Sequence, residues 1–293
     1  MKTTEDELLM PGHGMCPGCG AAIAVRQIMK ILGKETVILL PPGCIAPATT
    51  KEDAFKFRIP AVHIGLAHGA AIAAGVSAAL EVKGMRNVTV LPLIGDGGTA
   101  DIGLQALSAA AERNDNILYV CIDNEAYMNT GMQGSASTPM GAYTTTTPFG
   151  AMAPLGKDRP KKDLFKIISD HEALYAATAC PSYLADFRRK FEKAKHIHGF
   201  RYIHVLCPCP TGWGFPTGKT VEMGRLAVKT GIFVLAEAKL GQIKVTNKVK
   251  RRIPIRAYFR LQSRFRHLKD EHIKTIQEHV DRRWEAYMRC LEA

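Results

Sequence analysis

Two uninterrupted apolar runs, each followed at once by a polar motif, constrain the fold of this chain more than any other feature. Residues 88–94 lead into GDGG at 95–98, and residues 117–122 lead into DNEAYMN at 123–129. The segment between them, 100–113, has the spacing of a helix. Continuous apolar runs are typical of parallel strands that are covered on both faces. The sequence therefore predicts a strand, helix, strand unit of an α/β fold, with both motifs at the carboxyl ends of strands.

The first motif has the composition of an anion site. Gly95, Gly97 and Gly98 would let backbone N–H groups approach a diphosphate, and a helix that begins near Thr99 or Ala100 would point its positive end at the same place. In an open α/β sheet, ligands bind in the crevice outside these strand ends. Taken alone, GDGG could also be a tight turn, because glycine-rich turns after strands are common.

The second motif adds ligands for a hard cation. Asp96 offers a carboxylate, while the side chain of Asn124 and the carbonyl of Ala126 offer two further oxygens from the second strand end. Mg²⁺ prefers oxygen ligands and commonly shares them with phosphates. Together the two strand ends favour a magnesium-bridged diphosphate over a simple turn.

At this point the chain resembles a known family. Asp96 within GDG, together with Asn124, resembles the thiamine-diphosphate motif, and GDGGTADIGLQALSAAAER and DNEAYMNTGMQ resemble the β-subunit of pyruvate:ferredoxin oxidoreductase. The resemblance extends through CPGCG at 16–20, TTTTPFG at 144–150 and CPTGW at 209–213, and covers about residues 10–290. It implies a thiamine-diphosphate-binding α/β fold, in which a mostly parallel sheet carries helices on both faces.

The resemblance also implies which residues hold the cofactor. Asp96, Asn124 and the Ala126 carbonyl would hold Mg²⁺ against the diphosphate. Asn129, the candidate catalytic residue, would lie close to the reacting thiazolium, and Cys44 would also touch the thiamine. The full set expected at the cofactor is Gly95, Asp96, Gly97, Gly98, Asn124, Ala126, Asn129 and Cys44.

Eight cysteines are too few and too unevenly spaced for a disulfide framework in a chain of 293 residues. Cys16 and Cys19 form a CxxC pair, and Cys44 and Cys209 each follow an apolar strand pattern, 36–40 and 202–206 respectively. Four such thiolates suit either a [4Fe–4S] cluster or structural zinc. The resemblance implies a [4Fe–4S] cluster on these four residues.

The other cysteines have simpler interpretations. Cys207 is an alternative to Cys209, because residues two apart on a strand share a face. Cys121, inside an apolar strand, is predicted to be a core residue, as are Cys180 and Cys290.

Composition and hydropathy predict a cytoplasmic globular protein. Charged residues make up 23% of the chain and hydrophobic residues 46%. No apolar stretch is long enough to span a membrane, and the acidic start MKTTEDELLM does not have the pattern of a signal peptide.

The sequence pattern changes after about residue 216 and becomes strongly basic. This change suggests two parts, a cofactor-binding domain at 1–230 and a basic C-terminal extension at 231–293. Residues 244–267 contain nine Lys or Arg and no acid, within a net charge of +12. This stretch favours an electropositive face for an acidic electron carrier such as ferredoxin, or for an acidic subunit; a solvated tail is the alternative. Nucleic acid is disfavoured, because no nucleic-acid motif accompanies the charge. Apolar residues from Ile273 to Leu291 predict an amphipathic final helix that buries one face.

Three further features are expected near the site. The Ala- and Gly-rich segment 64–80 predicts a helix with a small face for close packing. His63 and His68 could face the active site, although a structural role is the alternative. The polar segment 130–147 predicts a loop that covers the thiamine and contacts a partner subunit.

The resemblance implies a function. The chain would be the β-subunit of a 2-oxo-acid:ferredoxin oxidoreductase that converts pyruvate and coenzyme A to acetyl-CoA and CO₂, with electrons passing through the cluster to ferredoxin. An α-subunit would supply the glutamate that activates thiamine, and γ- and δ-subunits would complete the complex. Oxalate without coenzyme A, or a branched-chain 2-oxo acid, remains an alternative substrate. An alternative of another class is a zinc-stabilised, non-catalytic binding protein.

Overall fold

A computed structural model describes residues 7–50 and 56–289, and within them one eight-stranded sheet organises the chain. Its strands are β1 (Thr36–Leu40), β2 (Ala61–His63), β3 (Thr89–Gly95), β4 (Leu118–Asp123), β5 (Tyr175–Ala179), β6 (Arg201–Leu206), β7 (Ala236–Lys239) and β8 (Gln242–Val245). The order across the sheet is β2-β1-β3-β4-β6-β5-β7-β8. Strands β1 to β6 pair in parallel, whereas β7 and β8 are antiparallel additions at one edge.

The register of the central strands brings the polar motifs to one edge. Gly95 of β3 pairs with Ile122 of β4, and Asp123 of β4 pairs with Leu206 of β6. The segments that follow these three strands therefore emerge side by side at the carboxyl edge of the sheet. This arrangement is the one that the sequence predicts.

Helices cover both faces of the sheet. They are α1 (Gly20–Leu32), α2 (Ile45–Thr49), α3 (Gly69–Val82), α4 (Leu104–Glu112), α5 (Leu164–Ser169), α6 (Leu184–Lys195), α7 (Pro210–Trp213), α8 (Thr220–Thr230), α9 (Arg256–Phe259) and α10 (Asp270–Arg289). Helices α1 and α6 pack on one face, and α3, α4, α5 and α10 contribute to the core on the other. The predicted fold class is confirmed.

Two predicted helices begin differently from the expectation. The segment 100–113 starts as a π-helical turn, Gly98–Ile102, before α4 begins. The segment 64–80 starts as a 3₁₀ turn, Leu66–His68, before α3. The predicted small face of α3 is present, because a Cβ on Gly69 would lie only 2.8 Å from Cδ1 of Ile94. None of the helices in the described ranges combines the length and apolar character needed to cross a membrane.

The chain after residue 230 adds β7 and β8 to the sheet and ends in α10. The boundary at residue 230 and the basic extension stay predictions. Helix α10 is amphipathic, as predicted, and buries Ile276, Val280, Trp284 and Tyr287. Cys121 and Cys180 are buried, which confirms their predicted core positions, whereas Cys290 lies outside the described residues.

Asp163 ties α10 to the body of the domain. Its carboxylate accepts hydrogen bonds from Arg283 Nη2 at 2.9 Å and from the Tyr287 hydroxyl at 2.9 Å, and it also accepts from the backbone N–H of Lys166 at the start of α5. Burial alone would raise the pKa of Asp163, but Arg283 and Tyr287 outweigh burial and hold the pKa below its usual 3.8.

We expect Asp163→Asn to destabilise the docking of α10 by about 2 kcal/mol, because Arg283 loses its charged partner. Chemical denaturation and hydrogen exchange in α10 measure the effect. The matched control is Asp170→Asn, whose pair with Lys166 is exposed and should contribute no more than about 0.5 kcal/mol.

The lowered pKa of Asp163 also sets the sign of a pH effect. The stabilisation from Asp163 is fully present above the unfolded-state pKa near 3.8 and is lost as the pH falls through the folded-state pKa. Wild-type protein should therefore lose exchange protection in α10 at acid pH more steeply than Asp163→Asn. Equal acid sensitivity of the two proteins would contradict this role.

Candidate functional site

All of the residues predicted to hold the cofactor line one cavity of about 130 Å³ at the carboxyl edge of the sheet. It lies between the end of β3, the end of β4 and the turn after β1. The predicted residues in its wall are Gly95, Asp96, Gly97, Gly98, Asn124, Ala126, Asn129 and Cys44.

Three oxygen atoms converge in this cavity. The amide end of Asn124 that faces the site lies 2.9 Å from the carbonyl oxygen of Ala126 and 3.1 Å from Oδ1 of Asp96. In the orientation that directs the amide nitrogen of Asn124 to Sγ of Cys44, 3.7 Å away, this end carries the oxygen atom. Neighbouring ligands in an octahedral magnesium sphere are about 2.9 Å apart, given Mg–O distances of 2.0–2.1 Å. In the opposite orientation, the amide nitrogen of Asn124 would donate hydrogen bonds to the Ala126 carbonyl and to Oδ1 of Asp96. The orientation with the oxygen inward gives three oxygen atoms at the spacing that Mg²⁺ requires.

The carboxylate of Asp96 is buried in a setting that favours a bound cation. Burial and the nearby charge of Asp123 raise the pKa of Asp96 well above its ordinary value. The hydroxyl of Ser135 donates to Oδ2 of Asp96 at 2.5 Å, which leaves Oδ1 facing Asn124. Ser135 belongs to the polar loop 130–147, and no pattern in the sequence indicates this contact.

Glu125, between the two ligand residues of the second motif, has a left-handed backbone with φ of 68°. Such a conformation is costly for a residue with a side chain and persists only where its surroundings fix it. The N–H of Glu125 donates to Oδ1 of Asp123 at 2.9 Å, and its carbonyl accepts from the Thr138 hydroxyl at 2.8 Å. The turn directs both Asn124 and Ala126 toward Asp96.

The Glu125 side chain anchors this turn in a buried charge network. One carboxylate oxygen lies 2.9 Å from Nζ of Lys161 and the other 2.5 Å from Nη2 of Arg264. Asp123 also pairs with Lys161, and its Oδ2 lies 2.6 Å from Nε2 of His204. Burial opposes ionisation of Asp123, but Lys161 and His204 outweigh it and hold its pKa at about 2.

We expect Arg264→Met to destabilise the fold by about 3–5 kcal/mol, because it leaves the Glu125 carboxylate partly unpaired in the interior. The same change should weaken thiamine diphosphate binding by about 10- to 100-fold through the turn that carries Asn124 and Ala126. Denaturant titration and a cofactor-binding isotherm measure the two effects.

The control for that prediction is the double variant Glu125→Gln/Arg264→Met, which removes one charge of each sign. We expect it to be at least about 1 kcal/mol more stable than the sum of the single changes implies. Strict additivity would show that Glu125 and Arg264 do not act as a pair.

The four candidate cluster ligands line a second cavity, of about 470 Å³. Cys16, Cys19, Cys44 and Cys209 are all in its wall. Burial, followed by the charges of the other three thiols, raises the pKa of Cys44 to about 12. Among the residues described, no three His, Cys, Asp or Glu side chains are close enough to hold one metal ion. Four cysteine thiolates that share one cavity wall suit either structural zinc or an iron–sulfur cluster, and the cavity itself does not choose between them.

Close packing joins the two cysteine-bearing segments. A Cβ on Gly18, where φ is +70°, would collide with the carbonyl oxygen of Thr217, and a Cβ on Gly20 would lie 2.7 Å from the carbonyl oxygen of Pro208. The N–H of Gly20 donates to that same Pro208 oxygen at 3.0 Å. Glycine at these positions therefore lets the CxxC pair approach Cys209.

The two cavities adjoin each other, and Cys44, Asn124, Met128 and Asn129 line both. Cys207 also lines the second cavity but is buried in the core, whereas the sulfur of Cys209 accepts from the N–H of Gly212 at 3.3 Å. The choice of Cys209 stays a prediction. His63 and His68 line neither cavity, so the structure does not bring them to the site.

Comparisons with known proteins agree with the geometry. A family model described as the thiamine pyrophosphate enzyme C-terminal TPP binding domain matches residues 46–205. Pyruvate synthase subunit PorB of Methanothermobacter thermautotrophicus is 52% identical over 281 residues, which cover 96% of this chain and 97% of that protein. Ketoisovalerate oxidoreductase subunit VorB of Pyrococcus abyssi is 41% identical over 294 residues, which cover 98% of this chain and 94% of that protein.

A solved structure shares the fold. It is a 2-oxoglutarate:ferredoxin oxidoreductase from Magnetococcus marinus with 2-oxoglutarate, coenzyme A and succinyl-CoA bound, and it aligns with a TM-score of 0.57 at 22% identity. The alignment covers 72% of this chain and 76% of that chain. The fold and the matched domain define the class, a thiamine-pyrophosphate-binding protein. Within this class, the chain belongs to the β-subunit family of 2-oxo-acid:ferredoxin oxidoreductases, which confirms the resemblance seen in the sequence.

Proposed function

We propose that this chain carries thiamine diphosphate, Mg²⁺ and a [4Fe–4S] cluster in a pyruvate:ferredoxin oxidoreductase. The reaction is the oxidative decarboxylation of pyruvate with coenzyme A, which yields acetyl-CoA and CO₂ and delivers electrons to ferredoxin. The observation that carries the proposal is the adjacency of an oxygen-lined cavity and a thiol-lined cavity with shared walls. A redox cluster beside an organic cofactor serves an oxidoreductase, whereas a simple decarboxylase has no use for it.

Different residues of the first cavity bind different parts of the cofactor. Asp96, Asn124 and the Ala126 carbonyl hold Mg²⁺, and the Gly95–Gly98 turn receives the diphosphate. Thiamine diphosphate supplies the chemistry of decarboxylation when it is bound. Asn129 lines both cavities, so it is suited to orient the reacting part of the substrate between cofactor and cluster.

The second cavity supplies the electron acceptor. Cys16, Cys19, Cys44 and Cys209 hold the cluster, and Cys44 also lies in the wall of the thiamine cavity. Electrons from the substrate therefore have a short route to the cluster. The alternative class, a zinc-stabilised non-catalytic binding protein, is disfavoured because relatives that match almost the whole chain are named as pyruvate synthase and ketoisovalerate oxidoreductase subunits.

Pyruvate is the proposed substrate because the relative named pyruvate synthase is 52% identical, against 41% for the ketoisovalerate relative. A branched-chain 2-oxo acid is the second candidate, since the VorB relative also matches almost the whole chain. Oxalate, without coenzyme A, is a third.

The complex supplies the rest of the active site. We propose an α-type subunit that contributes the thiamine-activating glutamate, together with γ- and δ-type subunits and a cytoplasmic location. Exposed apolar side chains support a partner surface, since Val82 and Met152 are 91% and 97% exposed.

Six exposed basic residues support docking of acidic ferredoxin: Lys244, Lys248, Lys250, Arg251, Arg260 and Arg266.

Ferredoxin reduction by the anaerobic complex tests the substrate. Pyruvate, 3-methyl-2-oxobutanoate and oxalate are each supplied with and without coenzyme A. We expect the highest kcat/KM with pyruvate and a strict need for coenzyme A. A higher kcat/KM with the branched acid, or turnover of oxalate without coenzyme A, would contradict the assignment of pyruvate and identify that acid as the substrate.

A further inference from the structure

A cavity of about 480 Å³ opens at the amino edge of the sheet, the edge opposite the two cofactor cavities. Its wall is formed by the segments before β1, β3 and β4, by the end of α6 and by the first residue of β6. The charged or polar residues that matter here are Glu35, Arg86, Asn116, Lys195, His198 and Arg201.

Arg201 is the buried cation of this cavity. It is only 3% exposed, and its Nη1 donates to Oδ1 of Asn116 at 2.5 Å and to the carbonyl oxygen of Gly199. Its Nε is buried and has no hydrogen-bond partner. Both acceptors are neutral, and within residues 7–50 and 56–289 no carboxylate forms an ion pair with Arg201.

Two other arginines show what Arg201 lacks. The buried Arg264 pairs with Glu125 at 2.5 Å, and the partly buried Arg283 pairs with Asp163 at 2.9 Å. A buried charge without an opposite charge is strongly unfavourable, and burial lowers the pKa of Arg201 to about 10. An anion would supply the opposite charge that Arg201 lacks, and Arg201 lines a cavity that such a group could enter.

The rest of the wall adds positive charge. Arg86 and Lys195 are the other cationic side chains of this wall, and Glu35 is the acid among its residues. Three cationic side chains, Arg86, Lys195 and Arg201, suit a doubly charged group better than a single carboxylate. The guanidinium fork of arginine also matches phosphate oxygens.

The space exceeds one phosphate group. A neighbouring cavity of about 280 Å³ shares Asn116 and His198 with this one, which leaves room for an organic part. A concave space of this size is typical of a small-molecule site. We propose that the cavity binds a phosphate monoester of a small metabolite, with Arg201 as the buried anchor and Arg86 and Lys195 at the rim.

Calorimetric titration of the assembled complex tests this site. The complex is first saturated with thiamine diphosphate and Mg²⁺ in phosphate-free buffer, so that the cofactor cavity cannot accept the probe. Inorganic phosphate and glycerol 3-phosphate are the probes, with succinate as the dicarboxylate comparison. We expect saturable binding of both phosphates, tighter for the monoester, and weaker binding of succinate.

Two variants and a control locate the binding. Arg86→Glu reverses an exposed charge and should weaken phosphate binding by about tenfold or more. Arg201→Met should abolish binding while leaving the thiamine content unchanged. Arg225→Glu, an exposed change on α8 away from this wall, should bind phosphate as the wild type does.

Several results would overturn the proposal. They are absence of phosphate binding by the wild type, equal binding by Arg86→Glu, and tighter binding of succinate than of either phosphate. If Arg201→Met does not fold, the phosphate affinity of Arg86→Glu compared with that of the wild type is the test of the proposal. If Arg201→Met dissociates the complex and the wild type binds no phosphate, the anion is a carboxylate of a neighbouring subunit and not a small molecule.

Discussion

Asp96→Ala should abolish binding of thiamine diphosphate with Mg²⁺ and leave the iron content of the protein unchanged. Asp96 is the charged member of the three-oxygen set, with Asn124 and Ala126 as its neutral partners. Loss of the charge removes the main attraction for the cation, so we expect the cofactor affinity to fall by about 100-fold or more. Activity falls with it, because no other carboxylate lines this cavity among the described residues.

Two further variants separate charge from shape at this position. Asp96→Asn keeps the volume and can still accept from Ser135, yet we expect it to lose nearly as much affinity as Asp96→Ala. Asp101→Asn changes a nearby carboxylate that accepts from Tyr127 at 2.9 Å and does not line the cavity. It should retain cofactor binding within a few-fold. Thiamine binding by Asp96→Asn at wild-type affinity would contradict the magnesium assignment.

Cys209→Ser should give a protein without the [4Fe–4S] cluster, whereas Cys207→Ala should keep it. The two cysteines lie two residues apart, and both line the second cavity. The two variants therefore distinguish a cysteine that binds the cluster from one that only lines the cavity. Cys207 is packed in the core, and its truncation should cost only about 1 kcal/mol of stability. Iron and acid-labile sulfide analysis, with the visible spectrum, measures the outcome. Loss of iron in Cys207→Ala with retention in Cys209→Ser would reverse the assignment.

The sheet and the edge that carries the site were predictable because they depend on local patterns. Strand β1 begins and ends where its apolar run does, and β3, β4 and β6 are displaced from their runs by one residue at most. Parallel strands then bring their carboxyl ends together, whatever the rest of the chain does. The cofactor motifs follow these ends directly, so their meeting in one cavity follows from the same patterns.

The supports of the site were not predictable, because they come from distant parts of the chain. Arg264 lies 139 residues after Glu125, and Lys161 lies 36 residues after it. In the sequence, Arg264 was one of nine basic residues attributed to a surface, yet it is buried against Glu125 and the ring of Trp213. Ser135 lay in a polar loop without periodicity, and only the folded chain shows that it donates to Asp96. Charge alone does not distinguish a buried ion pair from an exposed one.

The most direct test is the anaerobic visible spectrum of the purified complex, recorded before and after pyruvate is added with coenzyme A. We expect a brown protein whose iron–sulfur absorption bleaches on addition of substrate, and no bleaching in Asp96→Asn, although that variant keeps its colour. This result would place both cofactors on one electron path. A colourless preparation that contains zinc and does not respond to any 2-oxo acid would contradict the account.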